Sequence, residues 1–167
     1  MKKLLIQRNL PLSGEIYVSS SKNATLPIMA ASLLSDKNYL LKDIPNLIDI
    51  KSMSQLLESL GVTIKKSKSS MTLNASNLNS HKAEYNLVRK MRASILVLGP
   101  LLSRFGKAIV SLPGGCAIGT RPIDLHLLAM RKLGAKILIK DGYVIAEAAK
   151  GLYGNSIKLP FVSVGAT

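Results

Sequence analysis

Two stretches of the chain repeat one another, and a chain that repeats is expected to build the same unit twice. Residues 22–45 align without a gap on residues 90–113, keeping Lys22 on Lys90, Leu33-Leu34-Ser35 on Leu101-Leu102-Ser103 and Pro45 on Pro113. Farther on, Leu60-Gly61 matches Leu133-Gly134, and a hairpin pattern over Val62 to Asn74 matches one over Ala135 to Ala146 around Lys140-Asp141-Gly142. The first copy predicts a helix over Ala24 to Leu34 with Pro27 in its first turn, a strand at Tyr39 to Leu41 and a helix from Asp49 to Leu60. In that second helix Ile50, Met53, Leu56, Leu57 and Leu60 keep helical spacing, and Gly61 is a good terminator. Val62 to Lys66 and Met71 to Asn74 then pair around Lys68-Ser69-Ser70.

The flanks of the two copies are shorter segments. Leu4 to Ile6 and Glu15 to Val18 read as short strands joined through Pro11-Leu12-Ser13-Gly14. After the second copy, Gly151-Leu152-Tyr153-Gly154 breaks the pattern and Ser156 to Leu159 reads as the start of a third, in which Ser163 to Thr167 stand where Ser20 to Ala24 stand in the first. That place is the mouth of a helix, so a truncated domain is expected.

Composition narrows the class. A chain of 167 residues, 47% hydrophobic and 19% charged, suits one domain with a real core and excludes global disorder. Aromatics are only 4%, so Leu, Ile, Val, Met and Ala must fill that core, which favours layered α/β packing. A single cysteine forms no internal disulfide and fits a reducing compartment. Gln7 and Arg8 interrupt the apolar start, and the longest apolar run, Ala93 to Leu102, is too short to span a bilayer. A cytoplasmic protein with no membrane partner is expected.

The formal charge of +14, from 23 Lys and Arg against 9 Asp and Glu, argues for an anionic partner or a missing acidic complement, with most of it a solvated surface. Nucleic acid fits poorly, because the lysines are scattered and the few aromatics form no stacking platform. Small phosphorylated ligands at arginines near glycine loops fit better.

The stretch from Ser111 to Pro122 carries the chemistry, with Cys116 set among Gly114, Gly115 and Gly119. Thr120 suits a cap and Pro122 the first position of a helix, so Arg121 and free backbone N–H groups face the thiol. Such a thiol has a lowered pKa and serves as proton donor or nucleophile. The residues alone equally allow a small, inert, buried cysteine.

Four blocks in order, Ser21-Lys22-Asn23-Ala24, Arg89 to Ser94 with Leu98-Gly99-Pro100-Leu101, Ser111 to His126, and Ser163 to Thr167, resemble the enolpyruvyl transferase family over the whole chain. The cysteine loop is that of its members acting on UDP-N-acetylglucosamine, in bacterial peptidoglycan synthesis, rather than on shikimate phosphate. The resemblance implies an α/β (α+β) fold of inside-out βαβαββ repeats, here two repeats and the start of a third. It implies that residues 1–21 belong to a split domain whose remainder is absent, and that residues 22–167 are an incomplete second domain. It further implies transfer of enolpyruvyl from phosphoenolpyruvate to the sugar 3′-hydroxyl with release of phosphate, with no metal or other cofactor. Cys116 matches the proton donor, also the target of fosfomycin, and Lys22, Asn23 and Arg121 match contacts to phosphoenolpyruvate. Arg92, Arg121, Pro122, Ile123, Asp124, Leu125, Ser163, Val164 and Gly165 match positions around UDP-N-acetylglucosamine. The general base and further arginines come from the missing C-terminal half, so the chain by itself is expected to be inactive. A decayed gene remnant and a basic module for anionic partners are the alternative readings.

Overall fold

The computed structural model describes residues 3–7, 11, 13–88, 91–112, 123–163 and 165–166, and of Arg92 the backbone alone. The first copy folds as α1 (Lys22–Ala31) continued by a 3-10 turn (Ser32–Leu34), β1 (Asn38–Lys42), α2 (Ile48–Ser59), β2 (Thr63–Lys66) and β3 (Ser70–Asn74). Ser21 caps α1 from an extended backbone, its Oγ accepting the Ala24 N–H at 3.3 Å. The helix therefore starts at Lys22, earlier than the apolar spacing predicts, and Pro27 lies inside it rather than in its first turn. Pro27 lacks the N–H that would bond the Asn23 carbonyl, a local cost at the second turn of a helix held by buried Leu26, Met29 and Ala30.

The second copy adds elements that the apolar pattern did not show: β4 (Lys82–Ala83), α3 (Tyr85–Val88) and a 3-10 helix (Arg92–Val97) precede α4 (Leu98–Phe105). β5 (Lys107–Ser111), α5 (Asp124–Lys132), β6 (Lys136–Lys140) and β7 (Tyr143–Glu147) follow. The sheets are ordered β1-β3-β2 and β4-β5-β7-β6, antiparallel except where β4 runs parallel to β5.

Ladder register shows how closely the copies agree. Thr63 stands opposite Asn74 and Ile64 opposite Leu73, as Lys136 stands opposite Glu147 and Ile137 opposite Ala146. The preceding strand differs by one place from the ungapped sequence alignment. That alignment sets Tyr39 on Lys107, but Tyr39 pairs with Leu73 whereas its counterpart facing Ala146 is Ala108. Side chains alternate faces along a strand, so without this shift the second copy would turn its core residues to solvent. Both second helices end identically: Val62 N–H reaches Leu57 O and Gly61 N–H reaches Glu58 O, as Ala135 reaches Met130 and Gly134 reaches Arg131, all at 3.0 Å. These paired bonds form a Schellman cap, which needs the left-handed backbone supplied by Gly61 (φ +103°) and Gly134 (φ +100°).

One apolar core runs through both copies, from Leu26 and Leu57 in the first to Leu101 and Val144 in the second. α1 packs on α2 and on the Arg92–Val97 turn, and α4 packs on β5 and β7. Arg104 of α4 also donates to the Leu33 carbonyl at 3.2 Å, a polar tie between copies.

Two predicted strand regions do not form strands. Leu4 to Ile6 and Glu15 to Val18 have no ladder, and Leu4, Ile16, Tyr17 and Val18 are almost fully exposed. Ser156 to Leu159, read as the opening of a third copy, is likewise without strand structure. Extended segments gain strand structure only from a neighbouring ladder and a face to bury, and among the described residues neither lies beside these segments. Among the described residues no helix is long and apolar enough to cross a membrane.

Candidate active site

The predicted site residues fall into two groups. The first is at the N-terminal mouth of α1, where Lys22 and Asn23 are the first two residues after the Ser21 cap. Asn23 is exposed and Lys22 is half-buried. Lys22 Nζ lies 2.7 Å from Asp49 Oδ2, in the first turn of α2, with 42% and 32% of the two side chains exposed. Ser20 Oγ donates to the Asp43 carbonyl just past β1, fixing the chain that leads into the cap. The backbone of Arg92 opens the 3-10 helix that packs on α1.

The second group lies at the start of α5. Ile123 is its N-cap and is buried, Asp124 is exposed in its first turn, and Leu125 is buried. An acidic residue there suits the positive end of the helix. The His126 ring nitrogen Nε2 is 2.7 Å from the Gly165 carbonyl, which draws the terminal block against α5. Ser163 is half-buried in that block. Two further bonds fasten the approach to it: Asn155 Nδ2 donates to the Lys132 carbonyl at 2.7 Å and the Tyr153 N–H to Leu133 O at 3.0 Å. Ile123, Asp124, Ser163 and Gly165, separated by some forty residues of sequence, thus belong to one corner of the fold.

Cys116, Arg121, Pro122 and Val164 lie outside the described residues, as does the predicted helix start at Pro122. Two contacts were not anticipated from sequence, Lys22 to Asp49 and His126 to Gly165. Asp49 carried a signal, an acidic residue at the predicted start of a helix, but its partner sits in another helix. His126 directly follows the Asp124-Leu125 pair.

Among the described residues no cluster of His, Cys, Asp and Glu could hold a metal ion. A shallow pocket of about 130 Å³ lies between the start of α2 and the β2–β3 turn, lined by Leu47, Ile50, Lys51, Lys68 and Met71 among others. It contains none of the predicted site residues. The arrangement at α1 offers an ammonium group and a capped helix mouth to a small anion, and the corner at α5 offers backbone and one carboxylate to a polar ligand.

Residues 6–167 match the family model described as EPSP synthase (3-phosphoshikimate 1-carboxyvinyltransferase). The whole chain is 52% identical to the UDP-N-acetylglucosamine 1-carboxyvinyltransferase of Helicobacter pylori (strain ATCC 700392 / 26695) and 55% identical to that of Pelagibacter ubique (strain HTCC1062). It spans 40% of the length of each. Among solved structures it is similar to the enolpyruvyl transferase NikO of Streptomyces tendae, with a TM-score of 0.71 and 22% identity over 83% of this chain and 30% of that one. It is also similar to the EPSP synthase of Acinetobacter baumannii, with a TM-score of 0.69 and 17% identity over 92% of this chain and 36% of that one. The fold of the chain is the α+β fold of these enolpyruvyl transferases.

Proposed function

The chain belongs to the EPSP synthase (3-phosphoshikimate 1-carboxyvinyltransferase) family, and from that premise we propose that it is part of an enzyme that transfers enolpyruvyl from phosphoenolpyruvate to UDP-N-acetylglucosamine. The observation that carries the choice of acceptor is identity: above one half along the whole chain to proteins named for that sugar nucleotide, against 17% to an EPSP synthase.

In this reading the sugar 3′-hydroxyl adds to C2 of phosphoenolpyruvate while Cys116 delivers a proton to C3, turning the methylene into a methyl group. Loss of phosphate from C2 and of a proton from that methyl restores the double bond on the sugar. Lys22, Asn23 and Arg121 hold the phosphate and carboxylate, where fixed cationic and N–H groups favour the charge that develops. Arg92, Arg121, Pro122, Ile123, Asp124, Leu125, Ser163, Val164 and Gly165 hold the nucleotide sugar. The joint between His126 and Gly165 supports this part, since it brings the α5 block and the terminal block together. Residues 1–21 then serve a second domain and residues 22–167 the domain of the cysteine loop, in a cytoplasmic enzyme of peptidoglycan synthesis. The chain spans 40% of these relatives, and the base for the hydroxyl and further cationic groups belong to the remaining length, so the 167 residues alone do not turn over substrate.

The test is phosphate release from phosphoenolpyruvate with UDP-N-acetylglucosamine or shikimate 3-phosphate as acceptor, for the chain alone and joined to the remaining length of a relative. The joined form is expected to act on the nucleotide sugar only, Cys116→Ser to lower its rate by about 10²–10⁴-fold, and Cys116→Asp, still a proton donor, to retain activity. Cys116 is likewise expected to be alkylated by fosfomycin. Undiminished turnover in Cys116→Ser removes the cysteine from the mechanism, and preference for shikimate 3-phosphate overturns the acceptor.

A further inference from the structure

We propose that Asp49 is a positioning residue for the anion-binding mouth of α1: its carboxylate holds the Lys22 ammonium in place to receive the phosphate or carboxylate of a small anion. The inference rests on the reading of Lys22 as a contact to phosphoenolpyruvate and adds the residue that makes that contact possible.

Lys22 occupies an unfavourable place for a cation. It is the first residue of α1, at the positive end of the helix dipole, and an unpartnered lysine there would swing its four-carbon stem away into water. Asp49 stands in the opposite situation, in the first turn of α2, where a carboxylate is favoured. The helices pack side by side, and the carboxylate reaches across to Nζ at 2.7 Å. An ammonium group has three N–H donors, so one spent on Asp49 leaves two for a ligand.

Stability does not account for the pair. With 42% and 32% of the side chains exposed it is a solvated ion pair, and such pairs contribute little to folding. Nor does the repeat architecture require it. Counting back from the matching caps at Gly61 and Gly134, the position of Asp49 in the second copy is Pro122, so the unit is built without a carboxylate there. Asp49 also repels an incoming anion. That repulsion acts through solvent and is screened by salt, whereas the rotamer freedom removed from Lys22 is not, so positioning prevails.

The experiment uses the chain joined to the remaining length of a relative, with ¹⁵N-labelled lysine. The Nζ resonance of Lys22, assigned by its loss in Lys22→Met, is followed during titration with phosphoenolpyruvate at low and high ionic strength, with thermal unfolding recorded in parallel. Asp49→Asn is expected to broaden the Lys22 signal, to weaken phosphoenolpyruvate binding by roughly tenfold, and to leave the unfolding temperature nearly unchanged. Asp49→Glu should restore most of the binding, which a purely structural role would not predict. Wild-type affinity in Asp49→Asn at high ionic strength overturns the inference alone. A Lys22 signal that never responds to phosphoenolpyruvate in the wild-type chain overturns the reading of Lys22 as a ligand contact, and the inference with it.

Discussion

The two copies share register, strand order and helix cap, yet their second helices live in different surroundings. α2 buries Ile50, Met53, Leu56 and Leu57 and is packed by α1, α3, β2 and the Arg92–Val97 turn. α5 buries Leu125 and Leu127, and among the described residues β6 packs on it and Gly165 meets its His126. α1 of the same copy and the opening of the next together cover α2, whereas the terminal block meets α5 at the His126–Gly165 contact. Local sequence therefore writes the unit, while the elements packed around it decide how deeply its helix is buried. Such nearest-neighbour dependence is the rule for stacked repeats.

The sharpest way to break this comparison is to truncate the residue at the matching place in each helix. Leu57 and Met130 both supply the carbonyl that closes the Schellman cap, but Leu57 is fully buried and Met130 only half. Leu57→Ala should lower unfolding free energy by about 2–5 kcal/mol, as large-to-small changes in closed cores do. Met130→Ala should cost about 1 kcal/mol, because water already reaches the site and no sealed cavity forms. Equal losses in urea titrations of the two variants would mean that α5 is covered as completely as α2.

A second, smaller contrast lies in the caps themselves. Alanine at either glycine is strained by the left-handed backbone, at a cost of about 1–2 kcal/mol. At Gly61 the new Cβ would also stand 2.5 Å from the Asn77 carbonyl oxygen, a backbone atom, while at Gly134 it would overlap the Tyr153 ring. That ring is 61% exposed and can turn aside. Gly61→Ala is thus expected to be the more destabilising, and adding Tyr153→Ala should relieve part of the Gly134→Ala loss. A Gly134→Ala variant that unfolds at lower denaturant than Gly61→Ala would reverse the ranking.

Much of this unit was legible in the chain. Period and terminator place α2, with Ile50, Met53, Leu56 and Leu57 facing inward and Gly61 at its end, and alternation places both hairpins. β4 was not legible: two residues, Lys82 and Ala83, are too few to show a period, and their partners, Ile109 and Val110, are 27 residues further along the chain. Glu15 to Val18 failed in the opposite sense, since Ile16 and Val18 alternate as a strand does but have no ladder beside them. For the site, Lys22 and Asn23 stand at a helix mouth legible from the polar run 19–23 ahead of Ala24, whereas the Asp49 and Gly165 contacts join segments that sequence spacing does not connect.

β4 is also where the two sheets differ, and a group of exposed side chains braces its short ladder. Lys82 Nζ lies 2.9 Å from Glu84 Oε1 and 5.4 Å from the centre of the Tyr143 ring on β7, while the Tyr143 hydroxyl donates to Glu84 Oε2 at 3.2 Å. The hydrogen bond from Lys82 is the main reason the Glu84 carboxyl is held below its ordinary pKa, against a partial offset from desolvation. The same bond to Glu84, followed by its charge, raises Lys82 above its ordinary value. A lowered carboxyl pKa stabilises the fold above the unfolded-state value and ceases to do so as pH falls through the folded one. The raised lysine acts in the other direction, stabilising below its unfolded-state value and losing that contribution as pH climbs through the folded one. β4 pairing should therefore be constant through neutral pH and weaken at both extremes, first on the acid side below the ordinary carboxylate range. The groups are exposed, so the effect is the smallest considered and local rather than global. Its reporter is the Ile109 amide, which donates to the His81 carbonyl at 2.9 Å beside β4. Protection of that amide, normalised to amides of the β2–β3 ladder, is expected to decline on acidification in the wild-type chain and to be low and nearly flat in Glu84→Gln. The same decline in Glu84→Gln would assign it to the fold as a whole and leave β4 held by its backbone alone.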